Sequence, residues 1–138
     1  MRYMILVKAT KESEAGVMPP EHLFKVMADY HEQLVKAGVL VDASGLQASS
    51  KGFRVRYRGK DRSIVDGPFA ETKELVAGYT IINVASAEEA KQWALKFPNP
   101  TIDGADTELE VRRFFELEDF PPSAQVDRFK EMCEASVK

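Results

Sequence analysis

One short stretch of the chain brings together the residue types best suited to chemistry. Asp66 precedes the turn signal Gly67-Pro68, and three more charged residues follow the turn: Glu71, Lys73 and Glu74. Carboxylates beside an ammonium group can bind a charged ligand, or transfer a proton once burial or neighbours shift a pKa towards neutrality. The alternative is a tight connector whose charges face water, as charged loop residues commonly do.

Two residues elsewhere in the chain extend this candidate site. His31 lies on a predicted helix close to its apolar stripe, so it is either a hydrogen-bonded core residue or a pocket residue able to move a proton. Arg112 lies on a predicted strand and faces away from Leu109 and Val111. There it can supply a cation for an anionic ligand or pair with a surface carboxylate. The catalytic candidates are therefore His31, Asp66 and Glu71. The binding candidates are Asp66, Glu71, Lys73 and Arg112.

Length and composition limit the classes of function. The 138 residues fit one domain, and the net charge of −3 provides no global basic field for nucleic acid. The single cysteine argues against a disulfide and a cysteine-rich metal site, and it favours a reducing cytoplasm. His22 and His31 lie about half a turn out of register on a helix, so they cannot form an adjacent metal pair. With no apolar run of transmembrane length and no nucleotide-binding fingerprint, we expect no membrane, metal or cofactor.

The elements that must position these residues can be predicted from the apolar pattern. Tyr3–Val7 and Ala77–Val84 are apolar at consecutive positions, which is typical of strands covered on both faces, so we expect them to be central neighbours and parallel. An amphipathic helix is predicted from Pro19-Pro20 to Gly38, preceded by a polar loop over 10–17.

The middle of the chain predicts a β-hairpin. Residues 53–58 alternate strictly between apolar residues and arginines, and Gly59-Lys60 turns the chain into a partner strand. The arginine face, formed by Arg54, Arg56 and Arg58, either binds phosphate or carboxylate groups or is simply solvated.

The last third predicts a second helix, a final strand and a C-terminal helix. Ser86 and Glu89 form a capping box at the start of the second helix. Residues 109–115 alternate between apolar and mainly polar residues, which predicts the last strand. Beyond Pro121 an amphipathic helix places Val126 and Cys133 on one side, and we interpret Cys133 as a packing residue.

The stretch that begins at Asp66 closely resembles a known signature. Asp66-Gly67-Pro68-Phe69-Ala70-Glu71-Thr72-Lys73-Glu74 with Gly78-Tyr79 is similar to that of the DGPF, or YCII-related, family. The resemblance covers roughly residues 1–116 and implies a ferredoxin-like α+β fold, βαββαβ, that pairs into a dimeric α/β barrel. To this fold the chain adds the inserted hairpin and a C-terminal helical extension of the same domain over 117–138.

The better-studied YCII branch has a His–Asp pair that is proposed to be catalytic. Pro20-Glu21-His22-Leu23 resembles its histidine segment, although His22 stands further from Gly38 than in that pattern. The segment that resembles the aspartate end reads Lys96-Phe97-Pro98-Asn99 and lacks an aspartate. We therefore assign no catalytic role to His22.

Two hypotheses of different classes follow. The first is a homodimeric binding or regulatory module that holds a small anionic ligand among the binding candidates. Some members of the resembled family are encoded beside, or fused to, extracytoplasmic-function sigma factors, which implies a link to their regulation. The second is a cofactor-free enzyme that moves a proton on a small acidic substrate. We expect the dimer to use the sheet face that the two core helices leave bare, with the C-terminal helix as a competing cover in cis or across the dimer.

Overall fold

A four-stranded antiparallel sheet carries the core of the molecule, whose computed structural model describes residues 1–136. The strands are β1 (Arg2–Lys8), β2 (Leu40–Gly45), β3 (Phe53–Arg58), β4 (Asp61–Asp66), β5 (Val76–Asn83) and β6 (Leu109–Arg113). The α-helices are α1 (Lys11–Glu14), α2 (Glu21–Lys36), α3 (Ala87–Leu95) and α4 (Ala124–Ser136). Single 3-10 turns occur at Ser49–Lys51, Thr72–Glu74 and Leu117–Asp119. The α+β class is as the sequence predicts.

The strand order of the sheet is β2-β5-β1-β6, so β1 and β5 are the central neighbours, as their composition predicts. They run antiparallel, with Tyr3 opposite Ile82 and Ile5 opposite Thr80, so the prediction that they are parallel is wrong. The reason lies in the connections. The crossover through α2 returns the chain so that β2 runs in the direction of β1, and β5 then comes back between them and pairs antiparallel with both.

The predicted hairpin is present as a separate two-stranded sheet of β3 and β4 that turns at Gly59-Lys60. Both of its faces are open to water. Phe53 and Tyr57 are 61% and 63% exposed, and the three arginines on the other face are exposed too. Within residues 1–136 those arginines form no ion pair. In the isolated chain, therefore, the arginine face is solvated.

The core lies between the sheet and the helices α2 and α3. From the sheet it takes Ile5 and Ile82, which are fully buried, and from α2 it takes Tyr30 and Leu34. Burial of each such side chain stabilises the fold by roughly 1.5–3 kcal/mol. α2 ends where Gly38 adopts a left-handed φ of 72°, as predicted.

At the helix termini, the predicted capping box of α3 forms only in part, and the helix α1 was not predicted. The Ser86 hydroxyl accepts from the Glu89 amide at 3.1 Å, but the Glu89 carboxylate accepts from the Ala85 amide, so only half of the predicted capping box forms. The predicted loop over 10–17 contains the one-turn helix α1 instead. Thr10 and Ser13 make a reciprocal capping box there, because each hydroxyl accepts the amide of the other.

The C-terminal helix α4 buries none of its residues. Cys133 is exposed, so its interpretation as a packing residue is wrong. The physical reason is that α4 packs against the adjoining 3-10 turn rather than onto the sheet. None of the helices within residues 1–136 is long and apolar enough to span a membrane.

The buried Tyr30 makes stability depend on alkaline pH. Its hydroxyl donates to the Trp93 carbonyl oxygen at 2.7 Å, and burial raises the pKa of Tyr30 to about 12. Because the folded state holds this proton more tightly than the unfolded chain, the stabilisation is complete below pH 10 and is lost as the pH rises towards 12. Between pH 9 and 11 we expect the wild type to lose about 1 kcal/mol more unfolding free energy than Tyr30→Phe. Urea unfolding at the two pH values measures this, and equal losses would contradict it.

Candidate functional site

A cleft of about 380 Å³ lies between α2 and the helix-facing side of the sheet. Its walls are apolar. They are formed by Val7, Phe24, Met27, Ala43, Phe97 and Pro100. A concave apolar space of this size with a few convergent polar groups is typical of small-molecule sites. The sequence did not indicate this cleft.

The sheet presents no side chains at one part of the cleft floor, because two glycines lie opposite each other on β2 and β5. Gly45 pairs with Gly78, and Gly78 also pairs with Val7 of β1. A side chain at Gly78 would place its Cβ 3.1 Å from the Ser44 carbonyl oxygen, a tight contact that the neighbouring backbone could relieve only by a small shift. Glycine within a strand often marks such a close approach.

His31 supplies the polar end of the cleft and is fixed through both ring nitrogens. Nδ1 lies 2.7 Å from the Met27 carbonyl oxygen, and Nε2 lies 2.8 Å from Thr80 Oγ1. Because a carbonyl oxygen can only accept, Nδ1 carries a proton, and in the neutral imidazole the Thr80 hydroxyl donates to Nε2. His31 is therefore both hydrogen-bonded and part of a pocket, which joins the two alternatives that the sequence left open.

Aromatic side chains orient the imidazole of His31. The ring of Tyr30 lies 5.4 Å away at 86°, and the ring of Phe97 lies 5.9 Å away at 81°. Tyr30 also contacts Phe97 edge-to-face at 5.0 Å. Such edge-to-face pairs contribute roughly 0.5–1.5 kcal/mol beyond area burial, and here they hold the plane of the His31 ring.

The cleft carries almost no charge. Neither aspartate, glutamate, lysine nor arginine lines it in the described part of the chain. The hydroxyl of Tyr79 donates to Asp42 Oδ2 at 3.1 Å, and side-chain alternation places it on the opposite face of the sheet from Thr80. Within residues 1–136, His31 is thus the one cleft-lining side chain that can carry a positive charge.

The charged residues predicted as a site lie elsewhere. Asp66, the last residue of β4, is exposed, as are Glu71 and Lys73 in the segment before β5, and none of the three lines the cleft. The side chain of Arg112 is 75% exposed, and its Nε lies 3.9 Å from Glu110 Oε2. Exposed pairs of this kind contribute roughly 0–1 kcal/mol. Within residues 1–136 no hydrogen bond or ion pair joins any two of the four binding candidates, so their role in binding stays a prediction.

The turn that begins at Gly67 is held by Ser49, not by Asp66. The Phe69 amide donates to Ser49 Oγ at 3.0 Å, and the Gly67 amide donates to the Gly52 carbonyl oxygen at 3.0 Å. Asp66 makes no side-chain hydrogen bond to residues 67–69, so it does not lock the turn as aspartate side chains often do by accepting from backbone amides just ahead of them. A Cβ at Gly67 would lie 1.9 Å from the Ser49 carbonyl oxygen, which explains the glycine at this position.

A carboxylate from α1 completes this junction. Glu14 accepts the Ser49 amide at 2.8 Å and also accepts the Ser49 hydroxyl. The guanidinium of Arg54 lies 3.8 Å from the centroid of the Phe69 ring, which ties the hairpin to the same place. Three loops are thereby joined at one half-buried serine, which gives the motif a structural role.

The sequence did not predict the hydrogen-bond partners of Ser49 at the turn or of His31 in the cleft. Glu14 and Ser49 are 35 residues apart, and nothing local links them. Thr80 did leave a signal: it is the one threonine within the largely apolar run of β5, and its hydroxyl requires a hydrogen-bond partner when buried.

The comparisons with known proteins agree with the similarity seen in the motif. The model of the YCII-related domain matches residues 1–115. An uncharacterized protein of Rhizobium meliloti (strain 1021) is 30% identical over 79 residues, which are 57% of this chain and 64% of that protein. The alignment therefore spans less than two thirds of that relative, whose description assigns it no activity.

The junction predicts an order of stability among variants. Ser49→Ala removes the acceptor of the Phe69 amide and one donor to Glu14, so we expect it to lower the unfolding free energy by about 1–2 kcal/mol. Asp66→Ala removes no such bond and should change it by less than about 0.5 kcal/mol. Chemical denaturation of both variants measures the difference, and a larger loss for Asp66→Ala would show that the turn is held in another way.

Proposed function

The chain belongs to the YCII-related family, and on that premise we propose that it is a small-molecule-binding module whose ligand occupies the cleft beside α2. The observation that carries the proposal is the His31–Thr80 hydrogen bond at one end of an otherwise apolar cavity of about 380 Å³. Apolar walls supply affinity by removing ligand surface from water, and the polar pair fixes the orientation of the ligand.

A binding role is favoured over catalysis because the cleft presents a single titratable group that faces the ligand. General acid–base chemistry commonly uses two groups in different protonation states, or one group that is oriented by a further charge. The imidazole of His31 is oriented by a backbone carbonyl and a hydroxyl, and no carboxylate contacts it in residues 1–136. This arrangement holds a polar group in place, which is sufficient for recognition.

An enzyme is the second candidate, and one observation favours it. The Met27 carbonyl oxygen fixes the proton of neutral His31 on Nδ1, which leaves Nε2 as a base directed towards Thr80. If a substrate displaced the Thr80 hydroxyl, Nε2 could abstract a proton from it. The candidate would then be a cofactor-free enzyme that acts on a small acidic substrate.

We further propose that the protein works as a homodimer formed through the open face of the sheet. Helices α2 and α3 pack on the opposite face, and α4 buries none of its residues. The central strands place Met4, Leu6 and Ile81 on the open face, where each is only partly buried. A monomer rarely leaves such a continuous apolar surface in water, and two sheets that pack face to face would cover it.

The cleft can be tested by filling it. Ala28 lines the cleft on α2, so Ala28→Trp should remove the space for a ligand while Ala37→Trp, at the exposed end of the same helix, should not. After incubation with a metabolite mixture and gel filtration, we expect the wild type and Ala37→Trp to retain the same small molecule and Ala28→Trp to lose it. Thermal denaturation checks that both variants fold. Equal retention by all three proteins would place binding elsewhere.

The dimer can be tested by placing a charge on the open face. Sedimentation should show a stable dimer of the wild type at micromolar concentration, and Ile81→Lys should dissociate it because the charge would be desolvated at the interface. Ile64→Lys is the matched control, since Ile64 lies on the exposed hairpin and is 67% exposed. A wild-type monomer under these conditions would overturn the proposed assembly.

A further inference from the structure

We infer that the cleft selects a weak organic acid with an apolar body, and that the acid binds together with one proton shared with the His31–Thr80 pair. The inference rests on the proposed binding function and names the chemical class of its ligand. Three features of the cleft carry it: the two acceptors around the imidazole, the contact of the Thr80 hydroxyl with Nε2, and the lack of other charged residues in the lining within residues 1–136.

Both ring nitrogens of His31 face oxygen atoms that can accept a hydrogen bond. The Met27 carbonyl oxygen at 2.7 Å accepts in either charge state of the ring, and Thr80 Oγ1 at 2.8 Å can accept as readily as it donates. The imidazolium form of His31 is therefore accommodated without movement of any heavy atom. A second ring proton, on Nε2, would therefore find its acceptor, Thr80 Oγ1, already in place.

Protonation of His31 reverses the polarity that Thr80 presents to a ligand. With neutral His31, the Thr80 hydroxyl donates to Nε2 and offers only lone pairs to the cleft. With protonated His31, Nε2 donates to Oγ1, and the hydroxyl proton of Thr80 becomes free to donate to a ligand. Thr80 lines the cleft but is only 2% exposed, so a ligand must reach the buried end of the cleft to contact its hydroxyl.

An acid in this cleft requires one proton in total. A carboxylate opposite neutral His31 would set its lone pairs against those of Thr80 and would leave a charge uncompensated between apolar walls, which is costly. A carboxylate opposite imidazolium satisfies both groups, and so does a neutral carboxylic acid that donates to Thr80 Oγ1. These two descriptions contain the same atoms and differ only in where the proton lies, so each predicts the same uptake.

Within the described residues 1–136, no other charged group faces the imidazole from the elements packed around it. On β1, Lys8 pairs with Glu110 at 3.0 Å, and on β2, Asp42 accepts from Tyr79; both pairs lie on the open face. After α3, Lys96 lies over the Trp93 ring. On α2 itself the hydroxyl of Tyr30 donates to the Trp93 carbonyl oxygen, and the remaining charged residues of the helix are exposed: Glu21, Lys25, Asp29, Glu32 and Lys36.

The test uses phenylacetate as the probe and phenylacetamide as its uncharged counterpart. Because histidine side chains ordinarily titrate around pH 6.5 and carboxylic acids below 5, binding at higher pH must draw its proton from solvent. Phenylacetate affinity should fall roughly tenfold from pH 7.5 to 8.5. Calorimetry in buffers with different ionisation enthalpies should show uptake of nearly one proton per ligand at pH 8. Phenylacetamide should bind with no such pH dependence.

Variants separate the proton-binding pair from the rest of the helix. His31→Gln cannot gain a charge, so its phenylacetate binding should be weaker and should not change with pH, and Thr80→Val should weaken it as well. His22→Gln is the matched control, since His22 is an exposed histidine on the same helix, and this variant should keep the wild-type pH profile. Circular dichroism confirms that each variant is folded.

Each outcome has a distinct meaning. If both probes bind in the cleft with equal affinity and without proton uptake, the cleft is a binding site but the inference about acids is wrong. If neither probe binds and Ala28→Trp also has no effect on metabolite retention, the proposed binding function fails together with the inference. If phenylacetate binds with proton uptake that survives in His31→Gln, the proton is held by a different group and the inference is overturned.

Discussion

The antiparallel pairing of β1 with β5 is the interaction on which the rest of the structure depends. It sets Ile5 opposite Thr80 and Tyr3 opposite Ile82, so that one row of buried side chains faces the helices. Thr80 is the polar member of that row. A buried hydroxyl without a partner costs roughly 1–3 kcal/mol, and His31 provides the partner. The polar end of the cleft is therefore a requirement of the core as well as a means of recognition.

Most of the fold could be predicted from the sequence because its signals are local. The apolar runs of β1 and β5, the glycine stop of α2 and the alternation of the hairpin all depend on residues close together in the chain. The direction of the central pair could not be read in this way. Composition shows that a strand is covered on both faces, but only the order of connections decides whether two covered strands run parallel or antiparallel. The short helix α1 was missed because its cap uses Ser13 where glutamate is the usual signal.

The candidate site was less accessible to sequence reasoning. His31 was indicated by its position on α2, but its partner Thr80 is 49 residues away and belongs to another element. The charged residues of the motif lie at the end of β4 and in the segment that follows it, where side chains are usually exposed. They are Asp66, Glu71 and Lys73. The cleft itself arises from Gly45 and Gly78, whose missing side chains become meaningful only once β2 and β5 are paired. The volume of the cleft depends on how the strands are paired, so a pattern of residues close together in the chain does not predict it.

The way the hairpin is attached determines which substitutions and changes of length the chain can accept during evolution. β3 and β4 form a sheet of their own, and their base is held by the Ser49 and Gly52 contacts to Phe69 and Gly67. Its two faces contribute nothing to the core, whereas the base is crowded enough to require glycine at position 67. Substitutions and changes of length in the arm are therefore tolerated thermodynamically, while the base is constrained. Among related sequences we expect the hairpin to vary in sequence and length more than the residues at its base. The motif then marks the point where a variable hairpin joins the constrained fold.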